Sequence, residues 1–158
     1  MQISIRNITE NDLAAVVRLM REFAEYEDLA EYCEITEDRL HRAMFGPDGF
    51  VEGLIALDGD GPVGYALFYP QFSSFRGQLG LYLEDIYVTA DYRRLNLGER
   101  IMSKIACIAK VRGLERIDFQ VLDWNKPAVD FYLKHGAECN EGESHFKFSG
   151  EAFDRLAR

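Results

Sequence analysis

Long apolar runs are missing from this chain. No stretch reaches the ~18 residues that a membrane-crossing helix needs, so no spanning segment is expected. The first residues, MQISIRNITEND, alternate and carry charge early, without the apolar centre of a secretory leader. Cysteine is scarce: Cys33, Cys107 and Cys139 are odd in number, widely spaced and form no CxxC pair. Reduced thiols in a cytoplasmic protein are the expectation. The three histidines, His41, His135 and His145, show no ligand spacing either, and no metal is expected. Positive charge is also in deficit, with 18 Lys and Arg against 27 Asp and Glu and a net charge of -9. That excludes a general nucleic-acid binder, which needs a basic face. An acidic surface suits a cationic substrate, and it serves solubility equally well. Repeats, low-complexity tracts and linkers are absent, which predicts a single domain over residues 1–158.

Core material is plentiful. The hydrophobic share is 47%, with 11 Phe and 8 Tyr, so a packed domain rather than disorder is expected. Gln2 to Asn7 alternates as a strand. Thr9 to Asp12 reads as a capping box ahead of a helix that runs to about Tyr26. A short helix follows Thr36 and stops near Gly46-Pro47. Phe50 to Leu57 and Val63 to Tyr69 form a hairpin around Asp58 to Pro62. Gln71 to Gln78 reads as a polar loop, and Leu79 to Val88 as the next strand. Leu97 to Arg112 is a helix stopped by Gly113. Glu115 to Leu122 is a strand, and Asn125-Lys126-Pro127 opens a helix ending at His135-Gly136. Short strands are expected at Ala137 to Asn140 and at His145 to Ser149. The order describes an α/β fold, a mixed twisted sheet with helices on both faces and parallel pairing in its later crossovers.

Two local features carry chemistry. The first is DYRRLNLGERI, residues 91–101. A turn that feeds a helix offers unpaired N–H groups and the positive end of the helix dipole, a ready anion site. Arg93 and Arg94 add guanidinium forks, Gly98 permits close approach, and Asn96 tolerates a left-handed backbone. Arginine pairs in loops are nonetheless mostly solvated, so the stretch alone leaves a phosphate site and a solvated turn equally open. The second feature is Glu84-Asp85, two acids inside a strand. In a regular strand they face opposite sides, and charges on an edge strand also discourage strand addition.

The run from Leu83 to Ala137 resembles the GNAT superfamily of acyl-CoA-dependent N-acetyltransferases. That family's pyrophosphate loop reads Arg/Gln-x-x-Gly-x-Gly/Ala, and Arg93-Arg94-Leu95-Asn96-Leu97-Gly98 departs from it only at Asn96. A second matching block runs from Trp124-Asn125-Lys126-Pro127-Ala128 through Phe131-Tyr132 to Gly136-Ala137. AEYEDLAEY, YLEDIYV and DWNKPAVDFYLKHGA extend the likeness over nearly the whole chain. They resemble the diamine (spermidine/spermine-type) and thialysine acetyltransferase branch.

The resemblance implies the GNAT fold, acetyl-CoA as co-substrate and no metal. It places the cofactor on the backbone of Ile86, Tyr87 and Val88 and on the turn Arg93, Arg94, Leu95, Asn96, Leu97, Gly98 and Glu99. Asn125, Lys126, Pro127, Ala128 and Lys134 complete that set. Tyr132, expected early in its helix, would give the leaving thiolate a proton. Glu84 would accept one from the substrate ammonium, which near neutral pH arrives protonated. Tyr26, Glu27, Glu84, Asp118, Phe119 and Gln120 would meet the amine, with Asp118 as a further acid in the ring. The branch carries an acid where this chain has Gln71 to Arg76, and Arg76 would repel a long polyamine. The implied reaction is direct acetyl transfer to a small cationic diamine, polyamine or lysine analogue. The alternatives are a peptide or protein N-acetyltransferase, or a catalytically silent CoA-binding module. A homodimer is also implied.

Overall fold

In the computed structural model, which describes residues 2–157, the alternating start of the chain is strand β1 (Ile3–Asn7). Helix α1 (Leu13–Tyr26) follows a turn built on Asp12. The Asp12 carboxylate accepts from the Thr9 N–H (2.8 Å) and hydroxyl (2.7 Å), and from both terminal nitrogens of Arg6 (2.6 and 2.8 Å). Arg6 above all, then Thr9, hold that carboxyl well below the usual range. Helix α1 buries Leu13, Val16, Val17 and Leu19, the helical spacing of its apolar residues. Helix α2 (Glu37–Phe45) is capped by the Thr36 hydroxyl, which accepts from the Arg39 N–H, and it buries Leu40.

Strands β2 (Glu52–Asp58) and β3 (Gly61–Ser73) form the hairpin, followed by β4 (Gln78–Val88), α3 (Leu97–Val111) and β5 (Arg116–Phe119). The sheet order is β1-β2-β3-β4-β5, antiparallel up to β4 and parallel between β4 and β5. One face packs Leu54, Ala56, Ala66, Phe68, Leu81 and Leu83 under Leu97, Ile101, Ile105 and Ala109 of α3. The other packs Ile55, Tyr65, Leu67 and Tyr87 under α1 and Leu40 of α2. Odd and even residues of β2 and β3 thus serve different helices, as the pleat dictates, whereas on β4 Leu81 and Leu83 face α3 and Tyr87 faces α1. This is the expected mixed sheet with helices on both faces.

The chain divides into two compact units, Met1–Gln120 and Val121–Arg158. The first holds the sheet. The second holds α4 (Lys126–Lys134) and α5 (Gly150–Leu156). The sequence reading differs from this in three places. The Gln71 to Gln78 loop is largely strand, because Gln71 pairs with Gly80 and Phe72 with Leu79, leaving only Ser74 to Gly77 as the turn. Strand β5 ends at Phe119 rather than Leu122. The two short strands after Gly136 do not form; residues 137–149 are irregular and the chain closes with α5 instead. Their unit has no strand among the described residues to pair with, and an unpaired strand leaves its backbone groups unsatisfied.

Candidate functional site

Strand β4 is not regular where its two acids lie. Asp85 pairs with Leu67 and Leu83 with Phe68, so Glu84 is an extra residue on β4, a β-bulge. Its effect is to turn both carboxylates toward the α1 face. Glu84 Oε2 accepts from the Tyr69 hydroxyl at 2.8 Å, and Asp85 Oδ2 accepts from the Tyr65 hydroxyl at 2.9 Å. Tyr65 and Tyr69 are four residues apart on β3 and share one face. The regular-strand expectation, one acid in and one out, is therefore corrected.

The two acids have different surroundings. Glu84 is exposed. Asp85 is half-buried, and desolvation pushes its carboxyl up to about 6; the Tyr65 hydroxyl opposes the shift and the Glu84 charge adds to it. Glu27, one residue past α1, is raised by burial and then by the charge of Asp85. Burial, and then Asp85, also raise Tyr65 far above the ordinary phenol. Glu27, Glu84 and Asp85 thus form one crowded acidic group beneath the end of α1. Such a group is stabilised by a cation more than by water.

The bulge also marks where β4 leaves β5. Their ladder runs from Gly80–Arg116 to Leu83–Phe119 and stops there. Beyond it β4 is paired only with β3, through Val88. Among the described residues no strand pairs with the other side of β4 at Ile86, Tyr87 and Val88, so this is a strand edge to which an extended amide-bearing chain could add.

The chain then enters the turn ahead of α3. Arg94 (φ 67°) and Asn96 (φ 56°) are both left-handed, so Asn96 adopts the shape for which glycine is usual. Asn96 is the N-cap of α3 but gives no side-chain cap bond, unlike Thr36 and Asn125 on their helices. The first N–H groups of α3 thus have no N-cap side chain on them. A Cβ built on Gly98 meets nothing within 4 Å, so the space above it is open. Arg94, Leu95 and Glu99 are exposed around this turn, while Leu97 is buried in the core. These features fit a diphosphate.

The two arginines divide their work. Arg94 projects to solvent. Arg93 turns inward: its Nε donates to the Val88 carbonyl at 3.0 Å, and its guanidinium carbon lies 4.3 Å from the Tyr26 ring centroid. Tyr87 is 5.5 Å away. Arg93 thus ties the turn to β4 and to the end of α1, a cation–π anchor that the sequence did not disclose.

Asp118, expected as a third acid for the amine, already has partners. It is bonded by Arg116 through Nε (2.7 Å) and Nη2 (2.5 Å), and by the Gln71 side-chain nitrogen (2.8 Å). Phe119 packs on the α3 face of the sheet and Gln120 is exposed. Tyr69 and Tyr82 stack at 5.4 Å between Glu84 and this pair, and Phe50 meets Tyr69 edge-on at 5.6 Å. Tyr65, Tyr69, Tyr82 and Arg116 were not anticipated in the site. The available signal was the period-two spacing of Tyr65 and Tyr69.

The remaining candidates lie in the second unit. Asn125 is buried and caps α4, its Oδ1 accepting from the Ala128 N–H at 3.4 Å, with Pro127 in the first turn. Lys126 pairs with Asp130 at 2.9 Å, and Lys134 is exposed in the last turn. Tyr132 falls in the second half of α4, not early in it. Burial pushes its phenol up to about 12, so it stays protonated at neutral pH. Among the described residues no group of three or more His, Cys, Asp or Glu could hold a metal, and no helix is long and apolar enough to cross a membrane.

Residues 13–137 match the Acetyltransferase (GNAT) family. Thialysine N-epsilon-acetyltransferase of Bos taurus is 39% identical over 98% of this chain and 97% of its own length. Spermidine/spermine N(1)-acetyltransferase-like protein 1 of Homo sapiens is 31% identical over 93% of this chain and 22% of its own length. Among solved structures, an integron cassette protein from the mobile metagenome of V. cholerae superposes with a TM-score of 0.83 at 22% identity, covering 100% of this chain and 99% of that one. That last likeness bears on the fold.

Proposed function

This chain belongs to the acetyltransferase (GNAT) family and is an acetyl-CoA-dependent N-acetyltransferase; we propose that it acetylates the terminal primary amine of a small cationic molecule by direct transfer. The observation that carries the proposal is the bulge at Glu84. It gathers carboxylates beside a strand edge, a few residues before a turn whose shape fits an anion. Relatives named for thialysine and for spermidine/spermine support an acceptor of that kind.

Acetyl-CoA supplies a thioester with a thiol leaving group. The turn from Arg93 to Glu99 holds its diphosphate on the first N–H groups of α3, with Arg94 as a charged reinforcement. The Ile86 to Val88 backbone pairs with the extended arm, and one of its N–H groups faces the acyl oxygen as negative charge develops there. Asn125 fixes the start of α4, and the family resemblance gives Asn125, Lys126, Pro127, Ala128 and Lys134 to the cofactor. Tyr26 and Glu27 flank the amine. Glu84, exposed and tethered to Tyr69, accepts the ammonium proton directly or through water. Asp85 holds the cation by charge. The family resemblance gives Tyr132 the role of donor to the departing sulfur, and its buried phenol is protonated at neutral pH, as a hydrogen-bond donor must be. Asn96 already has the left-handed turn, so its departure from glycine is no ground for weakened cofactor binding.

We further propose a cytoplasmic homodimer. Three free thiols support the location, and exposed Phe146 and Phe148 in the C-terminal segment support a covered surface there.

Thiol release from acetyl-CoA across a panel of diamines, ω-amino acids and peptides tests the function. Release that requires a small amine is expected. Release with peptides alone would contradict the proposed acceptor.

A further inference from the structure

The far end of the sheet face carries a feature that acetyl transfer itself does not use. The stem of Arg116 lies across Gly80: a Cβ at Gly80 would come within 2.6 Å of the Arg116 Cγ and of its carbonyl oxygen. Arg116 is thus laid flat over β4 in a space that only glycine leaves. Its Nε and Nη2 hold Asp118, and its Nη1 donates to the Ser73 hydroxyl at 3.2 Å. Gln71 holds Asp118 from β3. Three strands therefore fix one guanidinium and one carboxylate side by side, both partly accessible, with side-chain exposures of 30% and 25%.

Asp118 pairs with Tyr82 across the parallel ladder, and Tyr82 lies two residues before Glu84. Two residues of strand span about 6.6 Å and neighbouring strands lie about 4.8 Å apart, which puts Asp118 and Glu84 about 8 Å apart across the sheet. Between the two ends lie the stacked rings of Tyr69 and Tyr82. The Glu84 end is acidic, whereas the Arg116–Asp118 end sums to zero charge but presents a plus and a minus together.

Resting on the function proposed above, we propose that Arg116 and Asp118 form a specificity element that reads the zwitterionic head of an α-amino acid whose side chain ends in the reacting amine. The α-carboxylate meets Arg116 and the α-ammonium meets Asp118, each opposite charges within hydrogen-bonding reach. In a lysine-length side chain the α-carbon lies about 6 Å from the terminal nitrogen, from bond lengths near 1.5 Å, and with a hydrogen bond of about 2.9 Å at either end such a ligand bridges the gap of about 8 Å between Asp118 and Glu84. The methylenes cross the tyrosine rings. A plain diamine presents a second ammonium to the same place, where Arg116 cancels the attraction of Asp118.

L-Lysine and 1,5-diaminopentane differ only by the α-carboxylate, so their kcat/KM ratio reads the element. The unaltered enzyme is expected to favour lysine by about 10-fold or more, the worth of a charge-assisted pair. Arg116→Gln should lower kcat/KM for lysine about 10-fold while leaving or raising that for the diamine, since Asp118 is then uncompensated. The paired change Arg116→Gln with Asp118→Asn removes the unpaired charge and should abolish discrimination between the two amines. Equal losses for both amines in both variants, or an unaltered enzyme that prefers the diamine, would overturn the proposal. Should no amine be acetylated, the function proposed above fails; calorimetric binding of lysine against diaminopentane to the CoA-loaded protein then decides this inference by itself. Tighter lysine binding that Arg116→Gln abolishes supports it, and equal binding of the two refutes it.

Discussion

Asp85→Asn isolates the cost of keeping a carboxylate out of water at the Glu84 bulge. Aspartate titrates at 3.8 in the reference state and at about 6 in this fold. The difference, about 2 units at 1.36 kcal/mol each, is about 3 kcal/mol. The folded chain binds this proton more tightly than the unfolded chain. Its contribution is therefore complete below pH ~4, is lost as pH rises through 6, and is absent at pH 8. Asparagine carries no such dependence. It keeps an acceptor for the Tyr65 hydroxyl, while its new N–H groups lack partners at a cost of about 1 kcal/mol. The variant should be less stable than the parent at pH 4 and more stable by about 2 kcal/mol at pH 8. Urea denaturation from pH 4 to 8 measures the gap. A gap that stays constant over that range would refute the burial argument. The same variant should bind a cationic amine more weakly, having lost one carboxylate.

Two further outcomes follow from the cofactor side. Gly98→Ala should raise or preserve the melting temperature, because the φ is ordinary, the space is open and alanine favours helix by up to about 1 kcal/mol. The added methyl stands where a diphosphate approaches, so CoA affinity should fall, read by calorimetry; unchanged affinity would remove Gly98 from the site. Tyr132→Phe should lower turnover about 100-fold or more, the usual worth of a placed acid, with CoA affinity near normal. Unimpaired turnover would take Tyr132 out of the mechanism.

Much of this fold is legible from periodicity. Leu13, Val16 and Val17 announce α1, Ile101 and Ile105 announce α3, and each helix was expected within a residue or two of its observed ends. The capping turn at Thr9 and the stop at Gly113 (φ 72°) are local chemistry and were equally readable. The Glu84 bulge was not. It is a property of pairing, visible only when Leu67 and Phe68 are set against β4, and without it Asp85 reads as pointing away from Glu84. The inward turn of Arg93 and the neutralisation of Asp118 by Arg116 were hidden for the same reason. Both depend on which residues other strands bring alongside. The alternation of His145 to Ser149 misled because a strand needs a neighbour as well as a pattern.

The central claim is that the turn ahead of α3 and the open edge of β4 together hold acetyl-CoA. Amide nitrogen–proton correlation spectra recorded while titrating coenzyme A test it most directly. The largest shifts are expected at Asn96, Leu97 and Gly98, with a second set at Ile86 to Val88. Saturable binding that leaves both sets unmoved would contradict it.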